Sequence, residues 1–312
     1  MRKLQLYYYY LLYKLRNAVN LREKDRVNGR YAGKPIVGEE AFFDGIREAL
    51  TSKKPYMVGR FGAVEQFVMR AWEFNQTAKQ DKACNQLYSC AGFFPEEKTL
   101  MPEFADTMKQ AAAQADVLGV WYQPCEDYFI RHYCREMKQA VMLKLIEPWN
   151  NENPWTRVLE GRKVLVVHPF EESIRMQYRK RENLFENKNM LPEFELKTLK
   201  AVQTAGDARD ERFNNWFEAL QYMCDEVDKI DYDIALLGCG AYGFPLAAHI
   251  KRQGKVAVHM GGSLQILFGI KGKRWDELFP NVNRMYNEYW EYPLDSEVPK
   301  NHGVVEGGTY WK

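Results

Sequence analysis

The stretch DIALLGCGAYGFPLAAHIKRQGKVAVHMGG, residues 233–262, carries the densest set of groups that can meet a phosphate. Gly238, Gly240 and Gly243 form a G-x-G-x-x-G pattern between a hydrophobic run and a helix-patterned segment. Gly238 suits a tight exit from a strand, Gly240 lets backbone N–H groups approach a ligand, and Gly243 allows close helix packing. Pro245 is tolerated in a first helical turn, and a helix N-terminus favours anions. The same pattern serves dinucleotides, other diphosphates, or a turn with no ligand. A dinucleotide fingerprint needs an acidic residue at the end of the next strand, for the ribose hydroxyl. That strand, KVAVHMGG, ends in His259, Gly261 and Gly262 without a carboxylate. The pattern therefore points away from an NAD(P)-dependent oxidoreductase and towards another diphosphate ligand. Lys271, Lys273 and Arg274 follow closely. Three cations suit a diphosphate, and equally a solvated basic loop.

Two earlier segments have the same form. In VGRFGAVEQF, Arg60 leaves an apolar run, Gly62 breaks it, and Glu65 falls in the first turn of a helical pattern. An arginine at the end of a buried strand must meet a carboxylate or a phosphate. Glu65 there favours the helix dipole, or can hold a divalent metal or take a proton. In VVHPFEESIRMQ, His168 ends a strand and Ser173 lies in the turn that follows. A histidine so placed is a capping or core residue more often than a reacting one.

These residues need strand ends to hold them. Short Val-, Leu- and Ile-rich runs at 55–62, 115–121, 140–145, 162–170, 194–204, 232–238 and 255–262 are expected strands. Helical patterns at 38–51, 63–74, 98–114, 125–138, 171–185 and 211–230 alternate with them. Such alternation implies an α/β fold, a Rossmann-like, doubly wound and mainly parallel sheet covered on both faces. Ligand groups then belong at the carboxyl ends of the strands. The 312 residues suffice for one such domain, expected over 31–294. A linker at 27–35 precedes it and an irregular tail at 295–312 follows. Residues 2–19 read as an amphipathic helix with Leu4, Tyr8, Leu11, Leu12 and Leu15 at helical spacing. Residues 1–30 carry eight Arg and Lys against Glu23 and Asp25, a bias that suits an anionic membrane surface, while the apolar stripe also suits a homodimer. With a net charge of only +2 and no basic-aromatic stripe, nucleic-acid binding is not expected. The six cysteines show no metal or C-x-x-C spacing and are expected to be reduced thiols of a cytoplasmic protein. Neither a secretory signal nor a run long enough to span a membrane is expected.

VGRFGAVE resembles the R-x-G-D-x-E signature of the GT-D-fold glycosyltransferases, bacterial sugar transferases of surface polysaccharide and glycoprotein assembly. LLGCGAYGFPLAAHIKRQGKVAVHMGG is similar to their late strand–helix–strand unit, and the likeness extends loosely over residues 38–290. The resemblance implies transfer from a nucleotide diphosphate-sugar, a UDP-sugar first, to a glycan or lipid-linked acceptor at the inner face of the plasma membrane. Glu65 and Arg60 become its catalytic candidates. Gly62, His168, Ser173, Gly238, Gly240, Gly243, His259, Gly261, Gly262, Lys271, Lys273 and Arg274 become its donor-binding candidates. The family's acidic pair is implicated in holding a divalent cation, manganese or magnesium. Glu65 matches the second acid, but Ala63 replaces the first and cannot ligate. The diphosphate charge then falls to Arg60 and the Lys271–Arg274 cluster, and NAD is not expected.

Overall fold

The computed structural model describes residues 2–18, 29–205, 208–305 and 307–312. Its centre is a seven-stranded sheet: β1 (Tyr56–Gly59), β2 (Val117–Val120), β3 (Gln139–Met142), β4 (Lys163–His168), β5 (Glu195–Lys200), β6 (Ile234–Leu237) and β7 (Val256–His259). All neighbours pair in parallel, in the order β3-β2-β1-β7-β6-β4-β5. The doubly wound α/β expectation holds.

The strands are hydrophobic throughout because both faces are covered. Alternate residues go to opposite layers. Leu165 and Val167 join one core with Leu118, Ala235 and Leu237, while Val164 and Val166 join the other with Val117, Ile234 and Leu236. Helices α3 (Ala63–Glu73), α4 (Thr77–Ala91), α5 (Met101–Ala112), α6 (Glu126–Tyr133), α8 (Trp216–Asp228) and α9 (Gly243–Arg252) cover the first face. Helices α2 (Glu39–Thr51) and α7 (Glu171–Tyr178), with segments rich in Trp, cover the second. The edge strand β5, ELKTLK, is the exception and keeps its charged ends exposed, which discourages edge-to-edge pairing.

Several boundaries move. Helix α4 was not anticipated, because its segment TAKQDKACNQLYSCA buries only Gln80, Ala83, Cys84, Leu87 and Ala91 and shows a weak apolar stripe. The expected helix 171–185 stops at Tyr178 and resumes as a short turn at Arg181–Leu184. The expected linker is a tight hairpin in its described part. Arg30–Tyr31 pairs antiparallel with Lys34–Pro35 through Ala32 and Gly33, both at positive φ. Tyr31 and Ile36 are buried there; residues 27 and 28 lie outside the described residues.

The N-terminal helix α1 (Arg2–Ala18) forms as expected, and the basic run Arg22, Lys24 and Arg26 lies outside the described residues. Among its described residues the tail after Leu294 forms two short 3-10 turns, yet Val305 and Trp311 are buried in the second core. Among the described residues no helix is long and apolar enough to cross a membrane.

Candidate functional site

From β1 the chain winds outward through β2 to β3, whereas β4 to β7 lie on the other side. The segments that follow β1 and β7 cover opposite faces of the sheet, so a crevice opens at their carboxyl ends. A cavity of about 410 Å³ occupies that place, lined from the ends of all seven strands. Arg60, Gly62 and Glu65 come from the β1 exit, Trp121 from β2, Glu147 from beyond β3, and His168 from β4. Thr204 follows β5, Gly238 and Gly240 follow β6, and His259, Gly261 and Gly262 come from the end of β7. Arg274, Trp275, Tyr310 and Trp311 close it from the C-terminal segment.

Arg60 crosses the crevice. Its guanidinium lies over the Trp121 ring at 5.6 Å from the centroid, and a Cβ at Gly261 would stand 2.6 Å from its Nη2. Gly261 also has φ of +69°, the left-handed region that favours glycine. The Trp121 indole N–H donates to the Phe61 carbonyl at 3.1 Å, which ties the β1 and β2 exits together. Glu65 folds back over the start of its own helix, and any side chain at Gly62 would overlap its carboxylate. This is the position from which a carboxylate on the third helical residue meets a helix start and its dipole.

The acid that faces the arginines is Glu147, which the sequence reading did not single out. Burial raises its pKa, opposed by the charge of Arg60, a hydrogen bond from Asn150, and the charge of Arg274. The Asn150 amide donates to Oε2 at 3.1 Å. No motif marks Glu147; the only sequence signal is its place shortly after an apolar run, where a strand exit delivers side chains to the crevice.

His168 and His259 are both buried, and burial brings each pKa down to about 3, with the Arg60 charge adding to the effect at His259. His168 Nδ1 accepts the Phe170 N–H at 3.0 Å, so the neutral ring carries its proton on Nε2. Gly238 is hemmed in by the His168 ring and the Gly261 carbonyl, where a Cβ would come within 2.7 and 2.9 Å.

Four predicted donor-site residues do not line the cavity. Ser173 is buried in the start of α7, where its hydroxyl donates to the Glu297 carboxylate and accepts the Leu294 N–H at 3.0 Å. Gly243 packs α9 on β7, since a Cβ there would be 2.5 Å from the His259 ring. The Lys271 ammonium sits over Tyr286 and Tyr292, at 5.4 and 5.8 Å. Lys273 points to the Gly307 carbonyl at 3.5 Å. Of that basic cluster only Arg274 reaches the cavity. A 3-10 turn at Gly240–Tyr242, with Ala241 and Tyr242 buried, precedes α9, so Gly238 to Gly240, rather than the helix start itself, face the cavity.

The residues present do not fit a metal centre built by the protein. Among the described residues no three His, Cys, Asp or Glu side chains converge in a way that could hold an ion. Ala63 offers no ligand, and Glu65 is turned to its own helix start. What the cavity does offer is two guanidinium groups, backbone at glycine-rich strand ends, two neutral imidazoles, two carboxylates and an aromatic wall. Guanidinium groups bind phosphate oxygens in pairs, and aromatic faces receive bases and sugar rings.

Searches of curated proteins and of solved structures each returned no match. The family model described as a GT-D fold-like domain matches residues 37–267, from the strand bridge before α2 to the turn after β7. That span holds all seven cavity-lining strand exits and leaves out the C-terminal segment that carries Arg274, Trp275, Tyr310 and Trp311, and the chain belongs to the GT-D-fold glycosyltransferase family.

Proposed function

We propose that the protein transfers a sugar from a nucleotide diphosphate-sugar, a UDP-sugar first among them, to a glycan or lipid-linked acceptor of surface polysaccharide assembly. The observation that supports this most is the pair Arg60 and Arg274 on one cavity at the β1–β7 switch point, beside the strand-end glycines 238, 240, 261 and 262. The diphosphate lies between the two arginines, and base or sugar packs on Trp121, Trp275 and Tyr310.

In the transfer step the acceptor oxygen forms a bond to the anomeric carbon as the bond from that carbon to the diphosphate oxygen breaks. The diphosphate leaves with the bonding pair, and the arginines stabilise the charge that develops on it. The acceptor proton passes to a carboxylate. Glu65 is the candidate by motif and Glu147 by position, since its raised pKa brings it closer to that of an effective base. Arg60 and Arg274 take over charge that a divalent ion would otherwise meet.

The test is a thermal-shift panel of UDP-, dTDP- and GDP-sugars and NADH, each with and without manganese. One nucleotide class is expected to stabilise the fold, by about 2–3 kcal/mol at a hundredfold excess over its dissociation constant. The shift should persist without manganese and disappear in Arg60→Ala and Arg274→Ala. A shift with NADH alone, or none at all, overturns the proposal. A second reading, a member that binds donor without turnover, is favoured by Ala63 in place of the first acid. It predicts the same shifts with neither transfer nor donor hydrolysis.

A further inference from the structure

Helix α1 has two apolar faces, and the described residues cover only one. The inner face carries Tyr9, which is buried edge-on against Tyr128 at 5.3 Å, with Leu6, Tyr10 and Leu12 packed beside it. Arg70 and Lys79 sit over the Tyr10 ring, at 5.5 and 5.4 Å. At the last turn Arg16 pairs with the buried Asp127 of α6 at 2.7 Å and lies over Tyr31 at 4.8 Å. The helix is thus held along its length.

The outer face is a stripe of Leu4, Tyr7, Tyr8, Leu11 and Leu15, spaced to fall within one side of a helix. These five are 75%, 75%, 57%, 56% and 52% exposed, and they make up most of the large hydrophobic side chains exposed among the described residues. Isolated apolar side chains on a surface are ordinary, but a continuous stripe marks a contact.

Charge decides which contact. The helix carries Arg2, Lys3 and Lys14 besides Arg16, which Asp127 already neutralises, and has no Asp or Glu. Lys14 is exposed beside the stripe. A second copy laid on the stripe would bring like charges together with no acid on the helix to pair them. An anionic lipid headgroup layer complements that charge, admits leucines to the acyl boundary and places tyrosines at headgroup depth. We infer that α1 is a preformed interfacial helix that docks the protein on anionic lipid through Leu4, Tyr7, Tyr8, Leu11 and Leu15. Because the inner face is already clamped, the helix meets the surface folded, and binding does not have to order it.

The clamp also sets orientation. Asp127 lies in the first turn of α6, directly after the β2 exit, where the neighbouring Glu126 accepts the Tyr122 N–H at 2.8 Å. Trp121 of that same exit lines the cavity. The end of α1 that carries Arg16 is therefore at the cavity's edge of the sheet. This inference does not depend on what the cavity binds.

Sedimentation of the full chain with vesicles tests it. Vesicles of phosphatidylcholine with about one-third phosphatidylglycerol should carry the protein down at low salt, and phosphatidylcholine alone should not. Raising the salt should release it. The double substitution Leu11→Ser with Leu15→Ser should weaken sedimentation about tenfold or more, with the melting temperature unchanged because both side chains face solvent. Wild-type protein that stays in solution with anionic vesicles overturns the inference. So does vesicle binding that survives the double substitution. A dimer by light scattering that this substitution dissociates, without vesicle binding, assigns the stripe to a second copy instead.

Discussion

His168 illustrates how a residue's environment decides its chemistry. Its ring ends a buried strand, accepts the Phe170 N–H, and is held neutral by burial, with the pKa pushed down to about 3. A reacting histidine near neutrality would need the opposite. The sign of its effect on stability follows from linkage. The unfolded chain takes up a proton on this histidine below about pH 6.5, whereas the folded chain does so only near pH 3. Stability from this group is complete above the unfolded pKa and is lost as pH falls. His168→Asn keeps an acceptor for the Phe170 N–H and removes the titration. The stability gap between wild type and His168→Asn should therefore narrow on acidification from pH 7.5 to 5. The rate approaches about 1.4 kcal/mol per pH unit below pH 6.5, and the buried His259 cancels because both proteins contain it. Urea unfolding at a series of pH values reads this directly, and a constant gap would show that the imidazole is not kept neutral. The thiols follow the same rule, with burial pushing Cys125 and Cys239 up to about 12 and leaving them unreactive core groups.

Elements in this fold are held by a few long-range polar ties, and α1 depends on one of them. The Arg16–Asp127 pair spans 111 residues of sequence, with the Asp127 side chain 2% exposed and that of Arg16 22% exposed. Arg16→Ala leaves a buried carboxylate without its cation. Full burial would make that loss worth about 3–5 kcal/mol, and the partial exposure of Arg16 reduces it to about 1–3 kcal/mol. Hydrogen exchange should show protection lost over residues 2–18 while β1, β6 and β7 keep theirs. Uniform loss across the sheet would mean that α1 is integral to the core rather than docked on it. Elsewhere local chemistry suffices to place an element. Asn215 caps α8 by accepting the Glu218 N–H at 3.0 Å, and Glu218 returns the bond to the Asn214 N–H at 2.8 Å.

The whole molecule closes its cavity with its own C-terminal segment. Trp311 is buried, donates its indole N–H to the Glu297 carbonyl at 3.3 Å, and packs edge-on against Phe170 at 6.1 Å between centroids. Tyr310 lies against Gly262, where any side chain would overlap its ring. The two should separate stability from binding. Trp311→Ala removes a large core side chain and should cost about 3–5 kcal/mol in chemical unfolding. The Tyr310 side chain, only partly buried, should tolerate truncation with little loss of stability, while Tyr310→Ala weakens the nucleotide-dependent thermal shift. Equal loss of stability in both would make the segment a structural clasp alone.

The amino-acid order by itself determines the alternation of apolar runs and amphipathic helices, because strand and helix periodicities are local properties. From it follow the α/β class, the face to which each strand residue points, and the delivery of Arg60, His168, Gly238 and His259 to strand ends. The need for Gly243 is also legible, since helix packing on a strand requires a small residue there. Helix α4 was not legible, because its helically spaced buried positions, Gln80, Ala83, Cys84, Leu87 and Ala91, are mostly small or polar and give only a weak apolar stripe. Strand order is not local either. β1 lies beside β7, nearly two hundred residues further along the chain, and only that adjacency brings Arg60 to Gly261. Tertiary packing likewise brings Glu147 into the field of Arg60 and Arg274, and ties Ser173 to Glu297. It also divides the basic run, placing Lys271 over tyrosine rings and Arg274 on the cavity. Neighbouring residues in a turn point in different directions, so charge in sequence becomes charge at a site only when the backbone that carries it is fixed.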